Sequence, residues 1–183
     1  MKYVTTVALA LVVLANDAGA EEPKPKTPEN AFDRGRWSGT FKFAGSATEE
    51  TARKAAIDKG IETLFFAVRG IARSRLTSGT KIDPWVAFTL DGAKIRVRTP
   101  AAPEAISRED GVAIDYVNDG EKTKLSQRIQ DGKVVQAFIA DEGRRVNEWS
   151  LSPDGNTLAL KVTVSSPKLS LPVVYTLTYR RSP

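Results

Sequence analysis

Residues 122–140, KTKLSQRIQDGKVVQAFIA, decide the fold of this chain. Two runs of alternating polar and apolar residues flank the dipeptide Asp131-Gly132. A period of two is typical of a half-buried strand, and Asp-Gly accepts the positive φ angles of a tight hairpin turn. The stretch therefore predicts an antiparallel hairpin with Leu125 and Ile129 on its inner face.

The same pattern extends over most of the chain. Four further Asp-Gly dipeptides separate alternating runs, at residues 91–92, 110–111, 119–120 and 154–155. The predicted strands are residues 36–45, 85–91, 93–99, 111–118, 122–130, 133–140, 145–152, 157–166 and 171–181. Strands at this spacing form a meander that can curl or close. We therefore predict a mainly β (α+β) fold, an antiparallel up-and-down barrel or half-barrel of about nine strands.

One helical segment interrupts the ladder between the first and second strands. Ser46 and Glu49 have the spacing of a capping box, which predicts the start of a helix. Apolar residues recur at helical spacing over residues 46–78. An unbroken helix of this length would be about 50 Å long, which exceeds the height of a small barrel. We therefore predict two helices with a break near Gly60 or Gly70, together forming a lid.

The N-terminal residues have the composition of a secretion signal. An apolar run at residues 7–15 follows Lys2 and precedes a small-residue cleavage site that ends at Ala20. The run is shorter than the roughly 20 residues that span a bilayer. We predict a signal peptide over residues 1–20, a flexible linker over 21–34 and one barrel domain over 35–183. The protein is accordingly expected to be exported, and to be periplasmic or extracellular.

Neither histidine nor cysteine occurs in the sequence. Their absence excludes a Ser-His-Asp triad, a Cys-His pair, imidazole or thiolate metal ligands and disulfide bonds. No nucleophile–base pair or phosphate-binding loop is present either. We therefore predict a protein that is not an enzyme and that holds neither a cofactor nor a metal ion. A hydrolase or isomerase that uses carboxylates and tyrosines remains as an alternative.

The net charge of +5 is explained by solubility alone, and attraction to anionic partners is the alternative. Basic residues are spread along the chain rather than gathered in one stripe, which argues against nucleic acid. The partners that we expect are a small apolar or amphipathic ligand and an anionic component of the cell envelope. We also expect a monomer that does not span the membrane.

The inner face of the predicted barrel carries the candidate site. Alternation turns inward a mostly apolar set with a few polar groups, which is the usual composition of a ligand cavity. The candidate ligand contacts are Phe41, Phe88, Tyr116, Gln127, Trp149 and Tyr175. Arg69 and Arg73 are spaced i, i+4 on the helical segment, and we predict that they meet an anionic head group at the barrel mouth.

The two ends of the domain, Gly35-Arg36-Trp37 and Tyr179-Arg180-Arg181, resemble those of the calycin superfamily, which includes lipocalins and fatty-acid-binding proteins. The resemblance implies that Trp37 opens the barrel and that Arg180, or its neighbour Arg181, packs across the tryptophan to close the floor. A helical lid directly after the first strand looks more like the fatty-acid-binding branch. Proteins of that branch hold ligand carboxylates with inward Arg and Tyr side chains. A half-barrel like the periplasmic lipoprotein carriers is the alternative architecture.

The leading functional prediction is an exported protein that holds a small hydrophobic or amphipathic ligand, such as a fatty acid or lipid-like molecule, inside the barrel. A cavity of several hundred Å3 beneath the helices would favour it, because ligand sites measure roughly 300–1,000 Å3. The alternative is an envelope interaction module with a solid core. Its cationic outer face would comprise Lys122, Lys124, Arg128 and Lys161.

Overall fold

The computed structural model describes residues 32–183. The predicted signal peptide and residues 21–31 of the predicted linker lie outside this range. The helices are α1 (Arg34–Trp37), α2 (Ala47–Ile61) and α3 (Phe66–Gly79). The strands are β1 (Gly39–Phe43), β2 (Trp85–Asp91), β3 (Lys94–Arg98), β4 (Ala105–Arg108), β5 (Ile114–Asn118), β6 (Glu121–Gln130), β7 (Lys133–Ala140), β8 (Gly143–Leu151), β9 (Thr157–Ser165) and β10 (Val173–Arg181).

All ten strands belong to one antiparallel sheet in the order β4-β3-β2-β1-β10-β9-β8-β7-β6-β5. Strands that are neighbours in sequence pair with each other, apart from β4 and β5, which are the two edges of the sheet. β1 also pairs with β10, so the first and last strands are joined. The sheet curls until β4 approaches β6, where Asp110 and Arg128 form an isolated bridge. The molecule is therefore a nearly closed up-and-down barrel with α2 and α3 between β1 and β2, as predicted, and the half-barrel alternative is wrong.

Side chains complete the closure where β4 and β5 are not paired with each other. Gln127 Nε2 on β6 donates to the backbone oxygen of Ile95, 2.9 Å away, and to Ser107 Oγ, 3.1 Å away. Tyr116 on β5 donates its hydroxyl to the backbone oxygen of Pro103 at 2.6 Å. These contacts tie β6 and β5 to β3, β4 and the loop before β4.

The structure corrects the first predicted element. The alternation predicts a strand from residue 36, but residues 34–37 form a short helix and β1 begins only at Gly39. Asp33 is the reason, because its carboxylate accepts hydrogen bonds from the backbone N–H groups of Gly35 and Arg36 and caps the turn. Trp37 remains buried, stacked on Phe32 with ring centroids 5.3 Å apart.

The structure also adds a tenth strand. β4 lies in a stretch that the sequence analysis left between the predicted strands ending at residue 99 and beginning at residue 111. It is only four residues long and buries Ala105 and Ser107, so its period-two signal is too short to stand out from the surrounding turn residues. Its pairing with β3 is a tertiary contact that local sequence does not encode.

The two helices confirm the predicted lid and its break. Ser46 caps α2 by accepting a hydrogen bond from the backbone N–H of Thr48 at 3.2 Å. α2 ends at Ile61, next to Gly60, whose backbone lies so close to β10 that an added Cβ would stand 2.7 Å from Val173 Cγ2. The break is therefore near Gly60, and Gly70 lies within α3.

The arginine at the floor of the barrel is Arg181 rather than Arg180, and it packs on Phe41 rather than across Trp37 as the resemblance implied. Its guanidinium lies 4.5 Å from the centroid of the Phe41 ring and donates to the backbone oxygens of Gly155, Ser38 and Arg36. Side chains alternate between the two faces of β10, so Arg181 shares a face with residues 175, 177 and 179. Arg180 lies on the other face and is exposed. Gly39 permits this contact, because its φ is 144° and an added Cβ would overlap the Arg181 guanidinium.

Candidate ligand-binding site

A cavity of about 720 Å3 lies between α3 and the end of the barrel where β7 turns into β8. We call it the outer cavity. Its volume falls within the range of ligand sites in proteins. Apolar side chains from α3 and the connection before it, from the strands and from the loop after β9 form most of its wall: Leu64, Val68, Ile71, Ala72, Leu76, Phe138, Ala140, Val164 and Leu169.

The outer cavity exists because α3 packs loosely on the barrel. α2 buries Ile57 and Ile61 to 1% exposure, and it contacts β10 along its length. α3, by contrast, buries no residue, and it leaves Val68 at 45% and Ile71 at 60% exposure. Burying apolar area is favourable by about 25 cal/mol per Å2, so this apolar helix face is an unfavourable surface in the absence of a ligand.

Ion pairs cross the rim of the outer cavity. The Glu142 carboxylate lies 2.5 Å from Lys168 Nζ and 3.6 Å from Arg75 Nη1, which links the β7–β8 turn to the loop after β9 and to α3. The hydrogen bond from Lys168 is the main reason that the pKa of Glu142 is lowered, and the charge of Arg75 adds to the shift. All three groups are exposed, so the pairs orient the lid without contributing much stability.

A second, smaller cavity of about 90 Å3 lies inside the barrel. We call it the inner chamber. Phe138 and Arg145 line both cavities, so side chains rather than backbone separate them. Polar groups make up much of the wall of the inner chamber: Lys81, Asp83, Thr99, Tyr116, Gln136, Arg145, Asn147 and Tyr179. The two cavities thus form an apolar compartment followed by a polar one.

A chain of hydrogen bonds, which we call the polar ladder, runs across the barrel interior. Gln136 Nε2 donates to Gln127 Oε1 at 3.1 Å, and Asn147 Nδ2 donates to Gln136 Oε1 at 3.0 Å. Arg145 Nε donates to Asn147 Oδ1 at 2.9 Å, and its Nη1 donates to the backbone oxygen of Gly79 at the end of α3, also at 2.9 Å. The first three residues are direct cross-strand neighbours on β6, β7 and β8. The ladder therefore connects the barrel wall to the lid.

Two polar atoms that border the inner chamber lack a hydrogen-bond partner in the described residues. They are Trp149 Nε1, on a side chain with 3% exposure, and Asp83 Oδ1. Burial raises the pKa of Asp83, opposed chiefly by the positive charge of Arg145. Burial also raises the pKa of Tyr179 and of Tyr175. Buried polar groups normally have partners, so the unpaired atoms mark the inner chamber as a place where polar atoms bind.

Some of the predicted contact residues lie in the core. Phe41 is fully buried beneath Arg181, and Phe88 packs edge-on against Trp37 and Trp149. Gln127 is fully buried and uses its amide in the polar ladder. Neither cavity is lined by these three predicted residues.

Two other predicted residues line the inner chamber, namely Tyr116 and Trp149. Tyr175 lies nearer the mouth, where its hydroxyl is 3.5 Å from the backbone oxygen of Thr80. None of the six inward candidates lines the outer cavity.

The structure places both helix arginines away from the two cavities. Arg69 Nε donates to the backbone oxygen of Leu64, 2.7 Å away, and Arg73 pairs with Asp58 of α2 at 2.9 Å. The arginine that reaches both compartments is Arg145 of β8, which the sequence analysis did not single out. The run KVVQAFIA carries apolar residues on both parities, so alternation does not assign Phe138 to a face. Arg145 shares the parity of Trp149 on β8, but its charge is typical of a residue that faces solvent.

The outer-face lysines do not form one cluster. Lys124 pairs with Asp115 at 2.6 Å, and Lys161 pairs with Glu148 at 3.2 Å. β6 and β9, which carry them, are separated by β7 and β8. Across residues 32–183 there is no group of histidine, cysteine or acidic residues arranged to hold a metal ion. Among the helices of this same range, none is long and apolar enough to cross a bilayer.

No protein-family model and no curated protein matches the sequence. Solved structures do match the fold. Lipid binding protein 8 of Caenorhabditis elegans aligns over 84% of this chain and 100% of its own, with a TM-score of 0.53 and 9% identity. The fluorescent protein UnaG aligns over 82% and 100%, with a TM-score of 0.53 and 18% identity.

A secretary abundant heat soluble protein from Ramazzottius varieornatus aligns over 80% of this chain and 96% of its own, with a TM-score of 0.52 and 10% identity. At these identities the similarity is one of fold alone. The chain accordingly shares with these proteins the fold of a nearly closed antiparallel barrel.

Proposed function

We propose that this protein is an exported binding protein for a small apolar or amphipathic ligand. The outer cavity carries the proposal, because about 720 Å3 of mostly apolar space lies under a helix that leaves its own apolar residues exposed. A ligand there covers Val68 and Ile71 and so provides the burial that α3 lacks in the free protein. The proposal that the protein is exported depends only on the composition of residues 1–20.

The cavity favours a lipid-like ligand over a small polar one. Its wall is apolar along α3 and along Phe138 and Val164, while charged groups are confined to the rim and to the passage at Arg145. A molecule with an apolar body and one polar end matches this distribution. One of the solved neighbours is named a lipid binding protein, which is consistent with the same use of the fold.

Filling the outer cavity is expected to abolish ligand binding. Ala72 lines the cavity on α3, and we expect Ala72→Trp to weaken binding of the uncharged dye Nile red at least about tenfold, a change of roughly 1.4 kcal/mol. Ala67 lies on the same helix, is exposed and lies outside the cavity wall, so Ala67→Trp is the matched control. Dye fluorescence titration measures both. Equal affinities for the two variants and the parent protein would rule out the outer cavity as the site.

A further inference from the structure

The inner chamber has a hydrogen-bonding pattern that selects a type of head group. Trp149 Nε1–H offers one donor without a partner, and the Asp83 carboxylate offers one acceptor without a partner. The Trp149 side chain is only 3% exposed, and Trp149 and Asp83 line the same 90 Å3 chamber. A chamber of this size admits a compact polar group, since one water needs only about 15 Å3 of such volume.

We infer that the ligand carries a neutral hydroxyl head group, which enters the inner chamber, accepts from Trp149 Nε1–H and donates to Asp83. This inference rests on the proposed function and narrows its ligand class to long-chain alcohols and other hydroxyl-terminated lipids. A hydroxyl is one donor and two acceptors, so it has the acceptor that Trp149 Nε1–H lacks and the donor that Asp83 Oδ1 lacks. A carboxylate only accepts, so it would offer no donor to Asp83 Oδ1 and would place a second carboxylate beside Asp83.

Of the two cations beside the chamber, one is engaged by protein groups and the other is exposed to solvent. Arg145 donates through Nε to Asn147 and through Nη1 to Gly79, so the polar ladder holds two of its three nitrogens. Lys81 is exposed. The remaining polar wall is formed by the neutral side chains of Thr99, Tyr116 and Gln136 and by Tyr179, whose raised pKa keeps it protonated at neutral pH. Neutral hydrogen bonding therefore dominates at the head-group end.

The two compartments share part of their walls. Phe138 and Arg145 line both cavities, so an alcohol whose chain lies along α3 extends its hydroxyl between these two side chains. Phe138 also packs on Tyr116 with ring centroids 5.5 Å apart, which keeps the passage apolar on one side. The chain of the ligand then remains in apolar surroundings up to the point where its hydroxyl meets the polar wall.

Competition with bound Nile red tests the inference, with dodecanol and dodecanoate as ligands of equal chain length at neutral pH. We expect the parent protein to prefer dodecanol by on the order of tenfold or more, because a buried acceptor without a donor costs 1–3 kcal/mol. Asp83→Asn replaces one acceptor by an amide that also donates, so we expect the preference to fall to within about twofold. Asp91→Asn, at an exposed aspartate at the end of β2, is the matched control and is expected to keep the parent preference.

Trp149→Phe supplies an independent variant, since it removes the donor and retains the ring. We expect it to weaken dodecanol binding about fivefold or more, whereas Trp85→Phe on the outer face of β2 leaves it unchanged. Tighter binding of dodecanoate by the parent protein, or an unchanged preference in Asp83→Asn, would overturn the inference. If Nile red binds but neither dodecanol nor dodecanoate displaces it, the inner chamber holds ordered water only. The inference is then wrong, while the proposed function stands. If Nile red itself does not bind, both the proposed function and the inference about the head group are wrong.

Discussion

Replacing Arg181 by methionine is expected to lower the free energy of unfolding by about 2–4 kcal/mol. Its guanidinium donates to backbone oxygens of Gly155 and Ser38 at 2.8 and 2.9 Å, and to that of Arg36. Hydrogen bonds from a charged donor contribute more than neutral ones, and the contact with the Phe41 ring adds to them. Methionine keeps much of the packing volume but none of the donors.

Arg180→Met is the matched control for this change. Arg180 is the preceding residue on β10, is exposed and faces the opposite side of the strand. Its replacement is expected to alter the free energy of unfolding by less than about 0.5 kcal/mol. Urea denaturation of both variants, followed by tryptophan fluorescence, measures the difference. Equal decreases in the free energy of unfolding for Arg180→Met and Arg181→Met would show that Arg181 does not close the barrel floor.

Gln127→Leu is expected to destabilise the protein by about 2–4 kcal/mol, because it leaves several buried polar partners unsatisfied. The Gln127 amide holds the backbone oxygen of Ile95, Ser107 Oγ and the amide of Gln136 at once. Leucine has a similar volume, so the loss isolates hydrogen bonding from packing. The variant also cuts the contacts that close the barrel between β6 and β4.

Gln130→Leu on the same strand is the control, since Gln130 is exposed and accepts only from Arg128. Its free energy of unfolding is expected to remain within about 0.5 kcal/mol of the parent. Hydrogen exchange gives a second measurement, because Gln127→Leu is expected to speed exchange of the β3 and β4 amides before that of the β9 amides. Unchanged stability and exchange in Gln127→Leu would contradict the role of the polar ladder in barrel closure.

Much of the fold was predictable because the strands obey a period of two and the turns carry Asp-Gly. Asp119 and Asp131 adopt the positive φ angles, 49° and 51°, that make these dipeptides turn signals. Ser46 caps the start of α2 as predicted, although the Glu49 carboxylate accepts hydrogen bonds from Thr178 of β10 instead of completing the capping box. β4 was not predictable, because four residues in a turn-rich stretch become a strand only by pairing with β3.

The candidate site was predictable only in part. The apolar face of the helical segment that lines the outer cavity follows from helical spacing, and Tyr116 and Trp149 follow from strand parity. The sequence does not single out Arg145 or Asp83 as site residues. For Arg145, no local pattern distinguishes a cation that binds a helix terminus from one that faces solvent. Gln127 is indistinguishable by sequence from a ligand contact, and only the three-dimensional arrangement shows its amide engaged by protein groups.

The native mass spectrum of the purified protein, followed by extraction and identification of any released molecule, is the first measurement to make. We expect one stoichiometric passenger with an apolar chain and a hydroxyl end, retained by the parent protein and by Ala67→Trp but lost from Ala72→Trp. A bare chain mass would contradict the proposed function if the same preparation also failed to bind Nile red, dodecanol and dodecanoate. The outer cavity would then be a surface feature of a solid-core barrel rather than a ligand site.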